Sequence, residues 1–180
     1  MPDLLRLAAL YLRMLFLAVR PQDVPGTFHV LVVSVSGAVL SYALAVWSVY
    51  GLEVAFGRAL LDLLVMSAVL HGALRITGKP ERFAQAFAAL CGTGTLLALL
   101  VWPFIGVLAG SDGKLETMSA AAQFALLFLQ VWGIAVVAHI FRHSLDAPFS
   151  MGALVAILYA VASYTVTNFL IPPTVPSVGS

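Results

Sequence analysis

Apolar residues run in long blocks separated by short polar links from Phe28 to Ile171. A helix needs about 20 mostly apolar residues to cross a hydrocarbon layer of ~30 Å. Five blocks reach that length: Phe28–Tyr50, Val54–Leu74, Phe83–Gly110, Thr117–Phe141 and Met151–Ile171. The links hold the helix breakers: Gly51, then Gly78-Lys79-Pro80, then Gly110-Ser111-Asp112-Gly113. Pro103 falls inside the third block, which is expected to kink or end there. Pro148 precedes the fifth block, with Ser150 as its expected N-cap, and Pro172-Pro173 closes it. The pattern predicts an all-α polytopic membrane bundle of five transmembrane helices (residues 28–171) and a short tail (172–180).

Residues 1–27 differ. From residue 3 to 20 they are apolar apart from Asp3, Arg6, Arg13 and Arg20. The arginines are seven apart, so each drifts only ~20° around a helix and they form one stripe. The expectation is an N-terminal amphipathic helix lying in the cytoplasmic headgroup layer, followed by a linker. A helix packed on the bundle with snorkelling arginines is the other reading. Arg13 would sit near the middle of a sixth span, which disfavours one. A signal peptide ending at Ala43-Leu44-Ala45 is disfavoured because the apolar run continues through Val46, Trp47 and Val49.

Composition agrees with a lipid environment. Apolar residues make up 62% of the 180-residue chain and charged residues 9%, against roughly 25% charged in soluble domains. A formal net charge of +1 leaves no basic patch for nucleic acid. A single cysteine, Cys91, excludes an intramolecular disulfide. The preference for Arg, Leu, Ala and Val suggests a GC-rich bacterial genome.

Flanking charge predicts orientation. Arg6, Arg13 and Arg20 precede the first span, Arg75, Lys79 and Arg82 lie between the second and third, and Arg142 follows the fourth. On the opposite side the flanking cation is Lys114, beside Asp112 and Glu116. Cytoplasmic loops carry the Lys/Arg excess, so the N-terminus is expected inside and the C-terminus outside a bacterial cytoplasmic membrane. Small residues four apart (Ala84, Ala88 and Gly92; Ala68 and Gly72; Gly106 and Gly110) predict close helix contacts.

Three polar sets could carry chemistry. Arg58 and Asp62 are four apart on one face of the second span. A lone mid-membrane charge costs ~3 kcal/mol or more. They form either a structural ion pair or the wall of a polar pathway, unless Arg58 snorkels outward and leaves Asp62 to another partner. Gln123 and Gln130, seven apart on the fourth span, and Asn168 with Tyr164 on the fifth could bond across helices or line a cavity. His29, His71, His139 and His143 all fall toward the cytoplasmic boundary. The spacing of His139 and His143 could grip a metal, with His71 and Cys91 on the same side. Imidazoles resting at an interface are the alternative, and the sequence implies no metal, cofactor or catalytic residue. HExxH, GxSxG and phosphate-loop patterns are absent.

From Leu70 to Leu170 the chain resembles the bacterial branch of the Yip (Ypt-interacting protein) membrane domain family. The likeness rests on the polar link His71–Phe83, a span with small residues reaching Pro103, and Val131-Trp132-Gly133 leading through Arg142 and Pro148 into the last span. It implies five spans, a cytoplasmic N-terminus and a non-enzymatic protein that organises membranes or protein partners. Such a protein would act through helix contacts and the basic surface of Arg6, Arg13, Arg20, Arg75, Lys79 and Arg82, which should attract anionic lipid at about 1 kcal/mol per residue. Two other functions fit the sequence. One is a small transporter or channel, self-associated into an oligomer, with an Arg58/Asp62 pathway. The other is an accessory subunit of a larger membrane complex.

Overall fold

The computed structural model describes residues 4–110 and 119–172, and every regular element among them is helical. The helices are α1 (Leu4–Leu15), α2 (Phe28–Tyr50), α3 (Leu52–Ile76), α4 (Phe83–Gly110), α5 (Ala120–Leu145) and α6 (Phe149–Leu170). Short 3-10 turns occur at Pro21–Asp23 and Pro80–Arg82. Helices α2 to α6 are the five long enough and apolar enough to cross a bilayer. Asp3, residues 111–118 with Lys114, and the tail from Pro173 lie outside the described residues.

The chain is a multi-pass membrane bundle, and its exterior shows why. Leu40, Trp47, Leu64, Phe128 and Leu158 are exposed on the spans, a distribution that suits a lipid surrounding. Helix α2 packs on α3 and α4, α3 on α6, α6 on α5, and α5 on α4. The five spans therefore close into a ring. Gly37 sets the α2–α4 approach, since a β-carbon there would lie 3.1 Å from Thr95 Oγ1. Gly152 sets the α5–α6 approach, where a β-carbon would run into the Ala138 carbonyl oxygen.

Three helix ends share one device. At the end of α3, Lys79 N–H donates to the Leu74 carbonyl and Gly78 N–H to that of Arg75, with Gly78 at φ 70°. This is the Schellman arrangement, which needs a left-handed residue. Asp146 (φ 50°) after α5 and Leu17 (φ 59°) after α1 fill the same place without glycine. Their following residues donate to the Arg142 and Arg13 carbonyls.

Several expectations need correction. The fourth span continues past Phe141 to Leu145. Helix α6 begins at Phe149 with Pro148 in the N-cap place, so Ser150 is not the cap. Helix α4 passes through Pro103 without ending. Helix α1 stops at Leu15, so Arg20 is not part of its stripe. The Ala68/Gly72 row packs nothing, because a β-carbon at Gly72 meets open space, and Gly106 is open in the same way. In the row of Ala84, Ala88 and Gly92, Gly92 does face a partner, and it is α1. The Tyr11 ring lies directly on Gly92.

Helix α1 is docked on the outside of the ring as well as amphipathic. Leu7, Tyr11, Met14 and Leu15 are buried, while Leu5, Leu12, Phe16, Arg6 and Arg13 are exposed. Tyr11 Oη lies 2.6 Å from Ser34 Oγ on α2, and Trp132 Nε1 on α5 donates to the Leu15 carbonyl at 3.1 Å. Gly92 is nine residues into α4, roughly 14 Å along its axis. The helix thus lies beside the bundle below its end, with its second face toward lipid.

Candidate intramembrane site

Packing is uneven along the ring. The buried core (Leu70, Leu74, Phe87, Ile140 and Phe141, closed by Met14) fills the half carrying α1. The other half holds a partly open cavity of ≈ 450 Å³ to which all five spans contribute, with Tyr42, Asp62, Leu97, Gln130 and Ser163 each from a different helix.

The polar wall of the cavity is built by α3 and α6. Asp62 sits at the middle of α3 and accepts from Tyr159 Oη at 2.8 Å on Oδ1 and 3.0 Å on Oδ2. Its Oδ1 also accepts a short hydrogen bond from Ser163 Oγ. Tyr159, Ser163 and Thr167 are four apart, which places them on one face of α6. Arg58, one turn from Asp62 toward the start of α3, turns the other way. Its Nη1 donates to the Ile171 carbonyl at 2.7 Å and its Nη2 to Asn168 Oδ1 at 2.8 Å. Its Cζ lies 4.5 Å from the centre of the Tyr50 ring, a cation–π contact. Asn168 is oriented by donating from Nδ2 to the Tyr164 carbonyl.

The expected alternative of an Arg58–Asp62 ion pair is therefore not what forms. Ion pairs among the described residues join Asp146 to Lys79 and Arg82, and both charges of α3 rest on neutral partners. Two hydrogen-bonding atoms of this region have no partner: Arg58 Nε and Thr167 Oγ1.

The other sequence candidates divide. Gln130 lines the cavity, whereas Gln123 is half-buried away from it. The histidines stay apart from the cavity. His29 is exposed, and exposed His71 meets Phe83 edge-on. His139 and His143 meet edge-on at 4.5 Å between ring centres, with His139 Nε2 3.0 Å from the Val19 carbonyl oxygen. Among the described residues no three His, Cys, Asp or Glu side chains converge as metal ligands. Cys91 is buried on the cavity wall.

At the α1 end the basic surface is smaller than the sequence suggests. Lys79 Nζ donates to the Leu145 carbonyl and to Asp146, both at 2.8 Å. Arg82 reaches the Ser144 carbonyl at 3.2 Å and Asp146 at 2.9 Å. Both cations cap the C-terminus of α5. The hydrogen bond from Lys79, then that from Arg82, holds the Asp146 carboxyl below the ordinary carboxylate range. Arg6, Arg13, Arg20, Arg75 and Arg142 remain exposed.

Tyr42, Tyr159, Ser163 and Thr167 were not foreseen as site residues. The four-residue spacing on α6 was a usable signal. Comparison with protein-family models, with curated proteins and with solved structures gave no match.

Proposed function

We propose that the chain is a non-enzymatic solute-binding protein, a small transporter of a bacterial cytoplasmic membrane with its N-terminus in the cytoplasm. The observation that supports this best is the ligand-sized, partly open cavity lined by all five spans, with a carboxylate on its wall whose hydrogen bonds come from hydroxyl groups. Pockets for small molecules run from about 300 to 1,000 Å³, mostly apolar with a few placed polar groups. Intramembrane charges that face a cavity mark solute or proton paths.

Gln130 provides the test. It lies ten residues into α5, roughly 15 Å along the span, at a depth that water reaches only through a cavity. In a Cys91→Ala background, Gln130→Cys is expected to react with a charged, membrane-impermeant thiol reagent. A Leu52→Cys variant serves as the surface control, reactive from outside. If the control reacts and position 130 does not, solvent does not enter the cavity and this reading fails.

A second reading follows the Yip resemblance: a protein that organises membranes or partners, by itself or as a subunit of a larger complex. It is supported by the five exposed arginines at the α1 end and by the apolar outer face of α1. Flotation with anionic liposomes that is unchanged by Arg6→Gln, Arg13→Gln and Arg20→Gln together would count against it.

A further inference from the structure

We propose that the cavity binds a small zwitterion with an apolar body, its ammonium group at Asp62 and its carboxylate toward Arg58. This rests on the solute-binding reading above and names the class of solute.

The argument starts from two opposite charges on one wall. Arg58 and Asp62 both line the cavity, one helical turn apart, and are not paired with each other. Arg58 is held by a backbone carbonyl, an amide oxygen and a ring face, Asp62 by two hydroxyl groups. None of these partners carries a charge, so neither wall charge is neutralised by its hydrogen bonds. The two residues are about 6 Å apart along the helix axis, so a molecule that meets both charges would lie along the α3 wall.

A monocation would satisfy Asp62 and leave Arg58 alone, adding net charge to a mostly apolar site. A monoanion would do the reverse. Each is disfavoured by the desolvation of an uncompensated charge. A zwitterion opposes both wall charges and adds none.

Unused bonding capacity lies where this ligand would need it. A carboxylate offers about four acceptor positions, and Asp62 receives two hydroxyl hydrogens, that of Ser163 on Oδ1 and that of Tyr159 shared between Oδ1 and Oδ2. One position on Oδ2 is open for an ammonium hydrogen. At the other end Arg58 Nε and Thr167 Oγ1 lack partners. Both are covered in this structure. Thr167 and Arg58 both line the cavity. Leu63, Leu97, Ile134 and Val137 offer an apolar surface to the rest of the molecule.

The test is calorimetric titration of the full chain in nanodiscs with four probes. L-phenylalanine and L-leucine carry both charges, phenethylamine lacks the carboxylate, and 3-phenylpropanoate lacks the ammonium. The expected result is that at least one amino acid binds and that phenylalanine binds at least tenfold tighter than either half-molecule. Asp62→Asn should weaken phenylalanine at least tenfold and leave 3-phenylpropanoate unchanged. Arg58→Gln should weaken phenylalanine equally and leave phenethylamine unchanged. If either variant does not fold, the four-probe comparison on the unaltered protein decides alone. A half-molecule that binds as tightly as phenylalanine overturns the zwitterion and leaves solute binding standing. Binding by none of the four overturns both.

Discussion

Replacing Gly92 by alanine tests how α1 is held. A β-carbon at this position would enter the Tyr11 ring, whose Cε2, Cζ and Cδ2 lie directly over the glycine. Tyr11 is itself fixed by its hydrogen bond to Ser34 at 2.6 Å, so the ring cannot move without straining that contact. The burial of Leu7, Tyr11, Met14 and Leu15 exchanges lipid contacts for protein contacts, and hydrophobic transfer therefore contributes little. What holds α1 is packing, plus the Tyr11–Ser34 and Trp132–Leu15 hydrogen bonds, each worth ~0.6 kcal/mol on average and at most ~1.7. Overpacking costs about 1–3 kcal/mol, comparable with the whole set. The docked population of α1 is expected to fall about 5- to 150-fold relative to the undocked one. Amide hydrogen exchange of peptides covering residues 4–15, followed by mass spectrometry in nanodiscs, reads this directly. Gly94→Ala is the control, because a β-carbon there meets nothing within 4 Å and alanine gains ~1 kcal/mol of helix propensity. Unchanged exchange in Gly92→Ala, or equal acceleration in Gly94→Ala, would refute the docking argument.

Three further outcomes are expected. Gly152→Ala places a β-carbon against the Ala138 carbonyl oxygen and the Arg142 backbone nitrogen; no rotamer change relieves this, so stability should drop by about 3 kcal/mol, the upper end for overpacking, while Gly72→Ala leaves thermal unfolding in detergent unlowered. Arg58→Leu removes the hydrogen bonds to Asn168 and Ile171, and hydrogen exchange should accelerate at the end of α6 and not at its start. The Asp146 carboxyl is depressed by Lys79 and Arg82, so its contribution to the α3–α5 link is full above the ordinary carboxylate value. It disappears as pH falls through the lowered value. Chemical-shift titration of Asp146 should show a midpoint below that of an unfolded peptide, and Asp146→Asn should remove the pH dependence while keeping a residue that tolerates the left-handed turn.

The spans were legible because length and apolarity decide them, and only their ends moved. The fourth span runs to Leu145 because Asp146 takes a left-handed cap, a role that glycine signals in sequence and aspartate does not. Leu17 hides the end of α1 in the same way. The stripe of Arg6 and Arg13 was visible, but it identifies the face left over. The docked face of α1 is decided by Tyr11 meeting Gly92, and no periodicity encodes which glycine a tyrosine will cover. Arg58 and Asp62 were found from their cost in lipid, yet their spacing suggested mutual pairing. The outcome depends on α6 offering two hydroxyls to one and a carbonyl and an amide to the other, which is tertiary information.

The contacts of the N-terminal segment also set an order of events in biogenesis. Val19 meets His139, which follows it by 120 residues, and Leu15 meets Trp132. At about 5–20 residues per second, the ribosome emits those partners roughly 6–24 s after the segment itself. Tyr11 waits for Gly92, 81 residues on, and Leu15 for Trp132; until then the bilayer surface is the available shelter. Helix α1 is thus made before the helices it settles on, and its two-faced character serves the nascent chain before it serves the finished one.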